Sequence, residues 1–490
     1  MTDVWAGADL GSTNVKVLLA DAEGTVLARA ARPTPRAGLR VRPDELADVL
    51  EELILLAAGA VSRPRLRGVC VAGVGEDGVL HAGGRPLGTA LPWFDPSRRA
   101  ALDRLAELAR PDDRLRYGVE LDAARTVAAW ALIPSADLAA ADGWVACTDY
   151  PALRWTGRAI MSSSLAPRTG AWLLDPGAWD IERAGRFLPA DLLPPVVPAG
   201  TVVGELRSRR LADLLASDAV VVAGGHDHPV GASVVHRQDP GAPLDSMGTA
   251  EVLVRTLEPA NRPARTGDRR TEDRGDRGDH RTGDLRTGDL RTGDRGDIRT
   301  EDLRAGDRGD IRTGDRRAGD RRAGGNPPPG MDLSPAVLGD GLTALTVLEL
   351  DRNMTWLRDN GLGPCLDAVL AGRLVVERPD RPVFAPGAAG GEPPRWTPAA
   401  ADLSAEARAA GAAWQLAQAG AAALRALAPD AEAAYAAGGW TRAPGWMRLK
   451  AAAAGLPYRI LAEPELSALG AAHLCLPGPI APVSVRELTP

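Results

Sequence analysis

Apolar and polar positions alternate along this chain with two periods, each predicting a kind of element. From Asp9 to Asp21 the sequence reads D-L-G-S-T-N-V-K-V-L-L-A-D. Two short apolar runs parted by a Gly-Ser-Thr-Asn turn predict a β-hairpin. Leu46, Val49, Leu50, Leu53 and Leu56 recur at helical spacing and predict a helix over 44–61. An apolar run from Gly68 to Gly73 reads as a buried strand. A second, Ala219 to Ala223, ends in Gly224-Gly225-His226-Asp227-His228, and helix formers resume beyond Pro229. Asp245 to Val254 predicts a strand with a Gly248-Thr249 turn inside it. An alanine-rich helix is expected over 402–427, a strand from Ala431 to Ala437 meeting Gly438-Gly439, and a helix from Pro444 to Ala454. Strands alternating with helices predict an α/β layered fold.

One stretch breaks this pattern. From about 259 to 330 the chain repeats R-T-G-D, R-G-D and R-A-G-D units with almost no apolar side chain. Such a segment cannot bury a core, so a solvated, disordered and dispensable loop is expected. Its period is too short and too polar for a solenoid. The R-G-D triplets invite an adhesion reading, but they fall out of the repeat itself. The rest of a 490-residue chain exceeds one ordinary core and predicts two domains with a cleft between them.

Composition narrows the function classes. Lys+Arg 58 against Asp+Glu 64 gives a net charge of -6, which argues against a nucleic-acid partner and favours small molecules. No apolar run is long enough for a membrane span, and no signal-like segment precedes Val4, so a soluble, cytoplasmic protein is expected. Cys70, Cys147, Cys365 and Cys475 lie far apart with no C-x-x-C pair, which predicts inert thiols.

Phosphoryl transfer needs groups that hold nucleotide phosphates, a magnesium ion, and a base for the attacking hydroxyl. Three segments can supply them. Asp9 ends a strand and would face hydrated magnesium, while Gly11, Ser12, Thr13 and Asn14 form a turn whose small residues let backbone N–H groups approach phosphate oxygens. Lys16, one of only two lysines with Lys450, either neutralises phosphate charge or is an exposed strand lysine. In the second segment Gly224-Gly225 allows a sharp turn that projects Asp227 into a cleft as general base. Two other readings of it stand: metal binding by His226 and His228, or Asp227 as a helix cap. In the third, Ser246-Met247-Gly248-Thr249 forms a second phosphate turn, and Gly438-Gly439 offers a flat surface for adenosine.

In that order these segments resemble the FGGY family of carbohydrate kinases, within the actin-like ATPase superfamily and xylulokinase-like. Asp9-Leu10-Gly11-Ser12-Thr13 resembles the family's first phosphate motif, Gly225-His226-Asp227 the segment bearing its catalytic aspartate, and Ser246-Met247-Gly248-Thr249 its second phosphate motif. Ala437-Gly438-Gly439, with Arg448, Lys450, Gly455-Leu456-Pro457 and the run Glu465 to Ala472, is similar to the adenosine motif and C-terminal signature. Trp93-Phe94-Asp95 resembles the W-x-D element near the sugar, and Asp149-Tyr150-Pro151-Ala152-Leu153 with Thr156-Gly157 and 162–166 resembles a further substrate-side run.

The resemblance implies an α/β fold of two ribonuclease-H-like domains with an interdomain cleft: a sugar-binding domain over 1–240 and an ATP-binding one over 241–490. It implies ATP and Mg2+ as cofactors, with Asp9 and, through water, Asp227 at the metal. Asp227 is the expected base, and Glu76, Asp77, Trp93, Asp95 and His228 are expected on the sugar, with Trp93 as ordinary core the bland alternative. A homodimer is allowed. The chain departs from the pattern at Glu76-Asp77, where xylulokinases usually carry Gln-Met-His, at the longer Asp95-to-Arg98 spacing, and at Trp440, where a third glycine is common. A silent sugar- or nucleotide-binding scaffold of the same fold and an actin-like or chaperone-like ATPase are the rival functions.

Overall fold

The computed structural model of the protein describes residues 1–258, 330–388 and 392–490. The Arg/Asp/Gly-rich stretch, apart from its last residue, lies outside the described residues. β1 (Thr2–Leu10) and β2 (Asn14–Ala20) form the hairpin that the first apolar pair predicts, and β3 (Val26–Pro33) extends it antiparallel. Helix α1 (Pro43–Ala58) starts where Pro43 fits the first turn and Asp44 and Glu45 complement its dipole. It packs its leucine face on β2 and β3, burying Leu46, Leu50 and Leu53. The chain then returns as β4 (Pro64–Gly73), parallel to β1. After a capping region come β5 (Val202–Glu205) and β6 (Leu215–His226), and the finished sheet has the order β5-β6-β4-β1-β2-β3.

Helix α2 (Asp227–Gln238) leads into a second sheet that repeats the scheme. β7 (Leu244–Met247) and β8 (Glu251–Leu257) are the two arms of a hairpin where the sequence suggested one interrupted strand. They are followed by β9 (Asp332–Pro335), β10 (Leu342–Leu348), α3 (Ala405–Leu427) and β11 (Ala434–Ala437). Next come α4 (Pro444–Ala454), β12 (Tyr458–Leu461), α5 (Leu466–Cys475) and β13 (Val485–Leu488). Its order is β9-β10-β8-β7-β11-β12-β13. In each sheet an antiparallel trio, β3-β2-β1 or β10-β8-β7, continues through its first strand into two parallel strands, β4-β6 or β11-β12. That duplicated order is the ribonuclease-H-like arrangement, so the expected fold class stands.

The C-terminal helix α5 returns to the first sheet and packs on β1 and α2. Contact is close because Gly7 has no side chain: a Cβ there would lie 1.9 Å from the Ala468 carbonyl oxygen. All four cysteines are free thiols; Cys70 and Cys147 are buried, while Cys365 and Cys475 are partly exposed. No helix among the described residues is long and apolar enough to cross a membrane.

Candidate active site

β1 and β6 flank β4 in parallel, with Asp9 opposite Ala72 and His226 opposite Gly73. The carboxyl ends of three strands therefore share one edge, the place where open α/β sheets bind ligands. Asp9 is buried there, and its Oδ1 has no hydrogen-bond partner among the described residues. Burial first, and then the charge of Asp227, push its carboxyl up to about 7 against the pull of Lys16. Lys16 is the cross-strand partner of Asp9. Its Nζ sits 2.5 Å from Glu465 Oε2 and 3.9 Å from Asp9 Oδ2. Burial lowers the pKa of that ammonium, but the carboxylates around it prevail and raise it. Lys16 is thus neither a free strand lysine nor a single-partner ion pair; it spans two carboxylates.

The turn between β1 and β2 is anchored through its carbonyls. Gly11 O accepts from Thr34 Oγ1, Ser12 O from Arg36 Nη2 at 2.6 Å, and Thr13 O from the Thr34 amide. Gly11 N–H closes the turn on Asn14 O at 3.1 Å.

At the end of β6 the register slips between Val222 and Gly225, a bulge that re-aims the strand. A Cβ on Gly224 would stand 2.0 Å from Val71 O, and one on Gly225 2.1 Å from Ser164 Oγ. Only glycines allow this approach, which the Ser164 hydroxyl then secures by accepting the His226 amide at 3.0 Å. Asp227 opens α2 immediately afterwards, with its side chain 19% exposed. Its Oδ1 accepts the amide of the next residue, His228, at 2.7 Å, while the helix N-cap is His226 and has no side-chain cap bond.

The flanking histidines crowd that same oxygen: His226 Nε2 is 3.3 Å and His228 Nε2 3.8 Å from Asp227 Oδ1. Burial, with Arg168 behind it, holds the His226 pKa well below the usual imidazole value, so His226 is neutral. Among the described residues no group of three or more His, Cys, Asp or Glu side chains could hold a metal ion.

Glu76 and Asp77 follow β4 and are both buried. Arg168 binds Glu76 through Nε at 2.7 Å and through Nη2, and it reaches Asp332 Oδ2 through Nη1 at 2.5 Å. Arg125 lies 3.7 Å from Glu76 and 3.2 Å from Asp332. Because Asp332 belongs to β9, this buried network ties the second sheet to the wall beside His226. Asp77 accepts the Trp93 amide at 2.7 Å. Burial pushes its carboxyl up to about 7, against nearby Arg98.

Trp93 is 40% exposed, which removes the core-packing reading, and its ring meets Phe94 edge-on. Asp95 caps the following turn by accepting the Ser97 amide at 2.9 Å. Arg98 is fully buried and spends its guanidinium on the carbonyls of Leu91, Glu76, Ala124 and Arg125, a structural role. Asp149 is held by the amide and hydroxyl of Ser162 and is likewise structural in its contacts.

In the second half, Gly248, Thr249, Asp351, Gly439, Trp440, Arg442 and Ala443 line a concavity of about 470 Å³. The structure therefore joins the second phosphate turn to the expected adenosine segment. Gly438 takes φ 95°, and a Cβ there would lie 2.3 Å from Met247 O. Trp440, the departure from a third glycine, donates its indole N–H to Gly248 O at 3.0 Å. Sequence reading missed Arg168, Arg125, Asp332, Glu465 and Asp351 as members of these walls. Arg168, two residues beyond the serine-rich 162–166 run, and Glu465, the first residue of the C-terminal signature run, had a signal beside them.

Two sheets of ribonuclease-H-like order, with carboxylates at the edge of the first, define the fold and the candidate site. Residues 4–233 match the model described as "FGGY family of carbohydrate kinases, N-terminal domain". No curated protein matches. Among solved structures, xylulose kinase from Rhodospirillum rubrum superposes with a TM-score of 0.76 at 18% identity, covering 99% of this chain and 94% of that one. Gluconate kinase from Lactobacillus acidophilus gives 0.69 at 13%, covering 97% and 89%. Plasmodium falciparum glycerol kinase with ADP gives 0.70 at 13%, covering 96% and 89%.

Proposed function

We propose that the chain is an ATP-dependent carbohydrate kinase in which Asp227 takes the proton of the attacking sugar hydroxyl. The observation that carries this reading is the half-open carboxylate of Asp227, delivered by a glycine bulge to the strand edge where Asp9 waits with an unpartnered oxygen. Neutral His226 and the amide of His228 fix Oδ1 and orient the carboxylate. Glu76 and Asp77 form the polar wall for the acceptor's hydroxyls, and Trp93 offers an exposed aromatic face for its C–H side. The Gly248–Thr249 turn and Gly438–Gly439 receive the nucleotide.

The orphan oxygen and raised pKa of Asp9 suit a cation, and Asp9, with Asp227 through water, would hold Mg2+. The bound ion supplies charge neutralisation on the phosphates. The sugar belongs with the 1–240 half and ATP with the 241–490 half.

An ADP-release screen over D-xylulose, D-gluconate, glycerol and related pentuloses and hexuloses tests the reading. One acceptor is expected to stimulate ADP release, and Asp227→Asn to lower that turnover at least about a hundredfold with the fold intact. A variant that keeps near wild-type turnover rejects Asp227 as the base. Nucleotide and sugar binding with no product from any acceptor would support the silent-scaffold reading instead.

A further inference from the structure

The second sheet buries ionisable side chains that this chemistry does not use. Lys450 on α4 places Nζ 2.9 Å from Asp245 Oδ2 on β7 and donates to Glu251 Oε1 on β8. Tyr458 on β12 donates its hydroxyl to the same Asp245 oxygen at 3.0 Å. The side chains of Lys450 and Asp245 are 0% exposed and that of Glu251 is 2% exposed, so two carboxylates and one ammonium share a space closed to bulk solvent. Among the described residues Asp245 Oδ1 has no hydrogen-bond partner. Burial pushes the Glu251 carboxyl up to about 7; Lys450 opposes the rise and Asp245 adds to it.

Position gives this cluster meaning. Asp245 and Glu251 stand on the two arms of the hairpin whose turn carries Gly248 and Thr249. Lys450 reaches them from the helix that follows Gly438–Gly439. Two more side chains of that segment hold the same turn: the Trp440 indole on Gly248 O, and the Trp446 indole on Met247 Sδ at 3.3 Å. Space is tight, because a Cβ on Gly420 of α3 would lie 2.2 Å from Glu251 Oε1 and 2.3 Å from Lys450 Nζ. A compact ammonium fits there and a planar guanidinium does not, in a chain whose cations are otherwise almost all arginine.

We propose that Lys450 is a positioning residue for the nucleotide: by drawing Asp245 and Glu251 together and cancelling their charge, it turns the Gly248–Thr249 hairpin into a receptor for an anionic phosphate chain. The inference rests on the nucleotide reading above. Uncancelled carboxylates beneath the turn would repel phosphates through a low-dielectric interior, where such repulsion is strong. Lys450, Asp245, Glu251 and Tyr458 are the ionisable groups of the cluster, and burial brings the Glu251 carboxyl to about 7.

The test is calorimetric binding of MgADP, with no sugar, to the full-length wild type, Lys450→Met and Glu251→Gln at about pH 6 and about pH 8, either side of the Glu251 transition. Lys450→Met is expected to bind at least about tenfold more weakly. As pH rises, Glu251 ionises in the wild type and affinity should fall roughly threefold or more beyond any fall in Glu251→Gln. Titrations elsewhere, including those of ADP and Asp9, are common to both proteins and drop out of the comparison. Superimposable pH profiles for wild type and Glu251→Gln overturn the proposal, even if Lys450→Met fails to fold. So does a folded Lys450→Met with wild-type affinity. A wild type that binds no MgADP instead removes the nucleotide reading, and this inference with it.

Discussion

Asp77 sits where ionisation is unwelcome: it is buried, with Arg98 Nη2 3.6 Å away and the Trp93 amide for support. Its folded pKa of about 7 lies well above the ordinary value near 4. Between those two values the folded protein holds a proton that the unfolded chain has released, so stability falls as pH rises across that window and stays low above it. Asp77→Asn mimics the protonated form. It should leave stability nearly unchanged at about pH 4 and gain on the wild type as pH rises to about 8, measured by urea unfolding at each pH. A variant whose difference from wild type is flat across the range would show that Asp77 is ionised throughout. The sequence displayed Glu76-Asp77 as a departure from the kinase pattern. It did not display burial, because burial depends on the Trp93 segment folding back onto the carboxylate.

Elements rather than single residues decide where Asp227 points. The strand before it is legible in the apolar run 219–223, and Gly224-Gly225 is legible as a turn, but the bulge needs a second element to lean on. That element is the segment around Ser164, some sixty residues earlier, whose hydroxyl fills the space that a Cβ on Gly225 would take. Gly225→Ala should therefore push β6 away and misplace the carboxylate. A shift on the order of 1 Å at a reacting group costs up to about a hundredfold in rate. Turnover of the acceptor found in the screen should fall on that scale, because the added Cβ meets the Ser164 hydroxyl and the backbone at Gly225 takes φ 159°, which side chains rarely adopt. Near wild-type turnover in Gly225→Ala would show that the bulge tolerates a side chain.

Other elements were readable with little error for the same local reason. α4 runs from Pro444 to Ala454 as its proline and glycine boundaries indicate, and the β1–β2 hairpin follows its turn. What stayed hidden were pairings over long separations, such as Arg168 with Asp332 and Lys450 with Asp245 and Glu251. No spacing rule connects such residues until both sheets are assembled.

At the scale of the whole molecule, the strands that flank residues 259–329 say what a connection there must do. Leu257 at the end of β8 and Pro335 of β9 both pair with Leu342, from opposite sides of β10. Neighbouring strands lie about 4.8 Å apart, so those two positions are roughly 10 Å from each other. Asp332 lies three residues further along β9, opposite Leu345, which adds about 10 Å more. A fully extended chain covers about 3.3 Å per residue, so a flexible linker of about eight residues spans the path with slack. Replacing 260–327 by such a Gly/Ser linker should leave β9 in its register and the Arg168–Asp332 bridge closed. Thermal unfolding should shift by no more than a few degrees, because lengthening or shortening a loop changes closure entropy only slowly. MgADP affinity and sugar turnover should stay within about twofold of the full chain, since the residues named at both walls of the proposed site all lie outside the replaced segment. A large loss of turnover with unfolding unchanged would give the Arg/Asp/Gly repeat a function of its own; a large drop in stability would mean that β9 needs it to reach its place.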